Sequence, residues 1–157
     1  MTKSELFDAM KYGSEAKRTG RSDDDLGRFG LGLKAASLSQ CRKLTVISKK
    51  DGKVSAYIWD LDVIEEKRDW YVVECAAKQI SEIRFADYLD NLDSGTVVLW
   101  ENFDLMEKST GNVYGALSTH MTETSDYLSL IFHRFLNRND KSAVRIKINN
   151  FQLEGFD

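Results

Sequence analysis

Residues 26–40 read Leu26-Gly-Arg-Phe-Gly-Leu-Gly-Leu-Lys-Ala-Ala-Ser-Leu-Ser-Gln40, a glycine cluster running straight into a small-residue helix pattern. Glycine lacks a Cβ, so Gly27, Gly30 and Gly32 let the backbone turn tightly and let a ligand come close to the main chain. A helix starting directly behind such a turn presents unpaired N–H groups, and its dipole adds about half a positive charge there. Together these make a cradle for an anion, above all a phosphate. Lys34, in the first helical turn, adds a point charge within reach of a terminal phosphate. The spacing fits neither common phosphate motif. No Gly-Lys-Ser or Gly-Lys-Thr closes the cluster, as a P-loop requires, and no strand leads into it, as a dinucleotide-binding turn requires. On spacing alone, glycines that merely let a loop pack against a helix explain the pattern equally well.

Working outward, Tyr12 to Asp25 is polar, with Gly13, Gly20 and the run Asp23-Asp24-Asp25, and reads as a surface loop. Before it, residues 4–11 predict a short helix capped by Ser4 or Thr2, with Leu6, Phe7 and Met10 on one face. Behind the glycines, Leu44 to Lys49 is rich in β-branched residues, Asp51-Gly52 is a hairpin turn, and residues 43–61 predict a β-hairpin. Trp70 to Cys75 and Thr96 to Trp100 are further strand candidates, and Ile83 to Leu92 predicts a short helix. Residues 113–137 hold the longest helical pattern, its stripe of Leu117, Met121, Thr124, Leu128, Ile131 and Phe135 expected to face a core. Val144 to Ile148 alternates apolar and basic residues as a half-exposed strand, with Asn149-Asn150 as the turn behind it. This order of elements predicts a mixed α/β sandwich.

The glycine cluster, the helix after it and the strand Leu44-Thr-Val-Ile-Ser-Lys49 together strongly resemble the GHKL superfamily of DNA gyrase, the large ATP-dependent heat-shock chaperones, sensor histidine kinases and MutL. The wording is most similar to the chaperone-like and MORC-like branches. Met1-Thr-Lys-Ser-Glu-Leu resembles the segment directly behind the family's aspartate-glycine motif, and Asp93-Ser-Gly95-Thr96-Val-Val resembles its late strand, so the likeness spans roughly residues 1–102. The resemblance implies an α+β, two-layer sandwich of Bergerat type, with a mixed, mainly antiparallel sheet and helices on one face. It implies that residues 1–104 are the C-terminal part of an ATP-binding domain, with an ATP lid at 12–26 and the phosphate-binding turn and helix at 27–40. Residues 105–157 would be the end of that domain or the start of a transducer region. By the same likeness Gly30 and Gly32, with the amides of Phe29, Leu31 and Leu33, grip the phosphates. Gly27 is the lid hinge, Lys34 meets the phosphate end, and Thr96 sits on the adenine side. The implied ligands are ATP and Mg²⁺, and lid closure over nucleotide would drive conformational change or homodimerisation in a full-length ATPase.

The family's water-activating glutamate, its Mg²⁺-binding asparagine and its adenine-reading aspartate all lie upstream of the lid. Here the lid begins a dozen residues after Met1, so these are expected upstream of this sequence, which reads as an N-terminally truncated fragment. Without that base, assistance worth about 10²–10⁴-fold is absent, and this chain alone is expected to hydrolyse nothing and to bind nucleotide weakly. Glu5 and Asp8 have the right chemistry in the wrong place and read as solvated surface. The alternatives are a degenerate GHKL-fold binding module without ATPase activity, or a fragment acting as a protein or nucleic-acid contact.

Composition adds bounds. With 157 residues, 42 % hydrophobic and 30 % charged, the chain suits one soluble domain able to bury a core. A formal net charge of −3 gives no overall pull toward nucleic acid, although Arg134, Arg138, Lys141, Arg145 and Lys147 form a local basic group. Phosphate contacts there would be salt-sensitive, but alternating Lys and Arg also protects an exposed strand from aggregation. No apolar run approaches the about 18 residues of a membrane span, and the start lacks a signal-peptide core, so a cytoplasmic protein is expected. Cys41 and Cys75 read as reduced thiols, and His120 and His133 lack ligand-spaced partners for a metal.

Overall fold

The hairpin announced by Asp51-Gly52 is the spine of the fold. The computed structural model describes residues 1–11, 32–104, 112–140 and 143–156. Strands β1 (Lys43–Lys50) and β2 (Lys53–Asp60) pair antiparallel, with Lys50 opposite Lys53. Asp51 and Gly52 both take positive φ, 52° and 71°, as a two-residue turn matched to strand twist requires. Strand β4 (Gly95–Glu101) pairs antiparallel with the free side of β1, and the two-residue β3 (Val73–Glu74) pairs with β2. The sheet order is therefore β3-β2-β1-β4, and every described pairing in it is antiparallel. The architecture is α+β, as the sequence predicts.

Leu44 to Ser48 are buried along the whole run because β1 is covered on both faces. On one face Leu44 and Val46 pack with Tyr57 and Trp59 of β2 and with Leu6 and Met10 of helix α1 (Lys3–Met10). Leu33 and Leu38 of α2 (Gly32–Leu38) and Ile64 of α3 (Leu61–Lys67) complete this core. On the other face Ile47 and Ala56 meet Cys75, Ile80 of α4 (Ala77–Ile80) and Leu89 of a 3₁₀ turn (Ala86–Leu89). The helices expected on one face are thus α1 and α2, and shorter pieces cover the reverse. Thr2 is the cap of α1: its Oγ1 accepts from the Glu5 N–H at 3.3 Å while Glu5 Oε2 accepts from the Thr2 N–H at 2.7 Å.

Several elements differ from expectation. Helix α3 follows β2 without a loop because the Asp60 side chain accepts from the Asp62 N–H at 3.0 Å and caps it, a switch hidden within the apolar run Ile58 to Ile64. Only Val73 and Glu74 of the expected strand at 70–75 pair; Trp70 instead meets Trp59 edge-on at 5.6 Å. The predicted helix at 83–92 is the single 3₁₀ turn at Ala86–Leu89.

The chain divides into two compact units, Met1–Leu105 and Met106–Asp157. The second contains α5 (Val113–Ile131), α6 (His133–Leu136) and a small hairpin of β5 (Lys147–Ile148) and β6 (Phe151–Gln152). Asn112 caps α5 by accepting from the Gly115 N–H at 3.0 Å, and the long pattern breaks at Phe132. The expected core stripe is not buried: Leu117 and Ile131 are exposed, and Ser129 is the buried residue of α5. The strand expected at 144–148 pairs only through Lys147 and Ile148, with Asn149 at positive φ in the turn behind it. No helix among the described residues is long and apolar enough to cross a membrane.

Candidate functional site

Gly27, Phe29, Gly30 and Leu31, and the expected lid at 12–26, lie outside the described residues. Gly32, Leu33 and Lys34 form the first turn of α2. A Cβ built on Gly32 meets nothing within 4 Å, and its φ is not in the left-handed region. Neither its backbone nor its described neighbours therefore require a glycine at this position. Leu33 is half-buried and packs against the first core.

Lys34 does not project into solvent. Its side chain is 1 % exposed, and its Nζ donates to the Ala9 carbonyl at 2.7 Å, in the last turn of α1. Burial lowers its pKa from the ordinary lysine value. One turn along the same face of α2, Ser37 is equally buried, and its Oγ accepts from Trp100 Nε1 of β4 at 2.9 Å. The Ser37 carbonyl accepts from the Cys41 N–H, also at 2.9 Å. A seven-residue helix is too short to hold itself, so these bonds and its two leucines set where α2 stands.

Strand β4 carries the other expected residue. In the β1–β4 register Thr96 lies opposite Ser48, Val98 opposite Val46 and Trp100 opposite Leu44. Val46 and Leu44 belong to the core under α1 and α2, so Thr96, Val98 and Trp100 share that face. All three are exposed, Val98 to 44 % and Trp100 to 38 %, which leaves an apolar strip with one hydroxyl beside α2. Thr96 Oγ1 lies 3.0 Å from Ser48 Oγ, which also donates to the Gly95 carbonyl at 3.2 Å and accepts from the Met1 amine at 2.7 Å. Through the Trp100–Ser37 bond the structure ties the α2 turn and the Thr96 strand into one region.

The model of a family described as Histidine kinase-, DNA gyrase B-, and HSP90-like ATPase matches residues 1–96, well over half of the chain. The chain belongs to the GHKL superfamily. No curated protein and no solved structure matches it. The matched range includes the α2 turn and ends at Thr96. The chain thus carries an ATP-binding module of GHKL type.

The described residues fit part of what ATP needs. No described residue crowds Gly32, which suits a ligand on the main chain, and the Thr96–Val98 strip is apolar with a hydroxyl, as a flat base requires. Among the described residues no group of three or more His, Cys, Asp or Glu is placed to hold a metal ion, and the asparagine expected to hold Mg²⁺ is not among the residues the resemblance assigns here. Glu5 and Asp8 are exposed, Glu5 in the α1 cap and Asp8 paired with Lys11 at 2.9 Å. His120 Nδ1 lies 3.3 Å from Glu123 on α5, and His133 Nδ1 lies 2.7 Å from the Leu130 carbonyl. Cys41 and Cys75 are free, buried, and pushed up in pKa by that burial. Lys141 of the basic group lies outside the described residues, and Arg138 stacks on the Phe135 ring at 4.8 Å. Sequence reading missed Ser37 and Ser48, whose importance appears only once α2 is seated and the hairpin register is known.

Proposed function

We propose that this chain supplies the phosphate-gripping side of a GHKL ATP site, whose occupation drives closure of a lid at 12–26 and, in a full-length ATPase, conformational change or homodimerisation. The main chain from Gly27 through Leu33 takes the phosphates, Thr96 lies on the adenine side, and residues 105–157 are the end of the ATP domain or the start of a transducer region. The observation that carries this reading is Gly32: a residue at the start of a helix with no conformational need for glycine and, among the described residues, no packing need for one. Close approach of a ligand to its backbone gives the missing reason. The general base and the Mg²⁺ ligand come from residues other than those described, and hydrolysis by this chain alone is negligible. The test is calorimetric titration of Mg-ATP and Mg-ADP into this chain and into a form extended upstream. Binding lost on Gly32→Val supports the reading, and no binding by either form contradicts it.

A second reading, a degenerate GHKL-fold module without nucleotide chemistry, draws on Lys34. Its ammonium is spent on the Ala9 carbonyl rather than held toward open space. The same titration separates the two. A separate alternative is a fragment acting as a protein or nucleic-acid contact through the basic residues of the second unit, which salt-dependent DNA binding would favour; for the leading reading a cytoplasmic location is proposed.

A further inference from the structure

Lys34 is the one charged residue among the buried side chains of the described structure. A buried ammonium is costly unless something specific holds it, and what holds this one is the end of another helix. The last carbonyls of α1 have no partners within the helix and carry its partial negative charge. Three of them are taken in turn: Phe7 by the Lys11 N–H at 3.0 Å, Ala9 by Lys34 Nζ at 2.7 Å, and Met10 by Trp59 Nε1 at 2.8 Å. Lys34 thus closes a bracket between the end of α1 and the first turn of α2, while Ser37 fixes the other end of α2 to β4 through Trp100.

We propose that Lys34 is a positioning residue: by bonding the C-terminal turn of α1 it sets where the first turn of α2 stands, and so tunes nucleotide affinity without touching phosphate. The proposal rests on the nucleotide-binding reading of the α2 turn. It differs from a phosphate contact in two ways that can be measured. A bracket acts in the nucleotide-free protein, on α1 as well as α2. It also adds no charge–charge contact to the complex, so it leaves the salt dependence of binding alone.

The experiment compares the chain with its Lys34→Met variant, which keeps the apolar stem and removes the ammonium. Without nucleotide, amide exchange at Lys11 and at Ser39, whose N–H donates to the Ala35 carbonyl at 3.1 Å at the end of α2, should quicken in the variant while that of Val46 and Tyr57 in the sheet stays slow. Mg-ATP binding should weaken by about tenfold, the scale of a modest misplacement of a binding group, with an unchanged salt slope. In the wild type, saturation with Mg-ADP should slow exchange at Lys11 together with Leu33, a readout that depends on no variant folding. Unchanged exchange at Lys11 in the variant overturns the proposal. So does a flattened salt slope, which would put Lys34 on the phosphate itself, or an affinity equal to that of the wild type. If neither the wild type nor its upstream-extended form binds either nucleotide, the nucleotide reading fails by itself, and the exchange at Lys11 in Lys34→Met still decides whether the bracket exists.

Discussion

Glu5 shows how much one exposed side chain can organise. Its carboxylate accepts from the Thr2 N–H at 2.7 Å and from Lys50 Nζ at 3.1 Å, so it joins the start of α1 to the end of β1. The backbone N–H first, and then Lys50, favour the charged form and hold its pKa at about 2 instead of 4.5. A carboxylate depressed in the folded state contributes stability above its unfolded value and loses it as pH falls through the folded one. The Thr2 cap should therefore persist through pH 4.5 and fail only toward about pH 2. Following the Thr2 amide by NMR during acidification should give a midpoint near the lower value, and Lys50→Ala should raise it; a midpoint at the ordinary value would refute the contact. Asp8, three residues on, pairs only with Lys11 on the surface, a contact worth little by comparison.

At the scale of elements, what could be read in advance depended on whether a segment carried its own signal. The hairpin did: Asp51-Gly52 demands positive φ, and the alternation on either side fixes which side chains enter the core. Helix α1 also did, through the cap candidate Thr2 and the spacing of Leu6 and Met10, whereas Glu5, read as solvated surface, proves to complete the cap. Helix α3 did not, because Leu61-Asp-Val-Ile continues the apolar run of β2 and only the Asp60 cap marks the change. Asp60→Ala should cost about 1 kcal/mol, read as a lowered urea midpoint with unchanged slope. The Trp70–Cys75 segment misled because its aromatic and β-branched residues suit a strand, yet Trp70 packs on Trp59 and leaves two residues to pair. The site was legible to the same degree. Gly32 stands out by its glycine cluster and Thr96 only through the family resemblance, whereas the burial of Lys34 follows from a contact with Ala9, 25 residues away, that no local pattern encodes.

In the molecule as a whole, one sheet joins the two parts of the proposed site. The core of Leu44, Val46, Tyr57 and Trp59 seats α1, α1 holds Lys34, and Ser37 meets Trp100 of the strand that bears Thr96. Damage beneath α1 should therefore reach the site. Leu6 is fully buried in this core, and Leu6→Ala should cost about 2–5 kcal/mol by thermal or urea melting. Loss of nucleotide affinity in the folded fraction should accompany it. The second unit contributes none of the residues proposed to bind ATP. Its open groove of about 480 Å³ between α5 and the β5–β6 hairpin is lined by Leu117, Met121, Ile148 and Phe151.

The central claim is that the main chain around Gly32 receives phosphate, and Gly32→Ala tests it most directly. Because a Cβ there meets nothing within 4 Å among the described residues, the variant should melt at the same temperature or higher, gaining up to about 1 kcal/mol of helix stability. Titrated with Mg-ATP beside the wild type, it should bind at least about tenfold more weakly, a loss of about 1.4 kcal/mol set against that gain. Equal affinity in the two proteins would contradict the account.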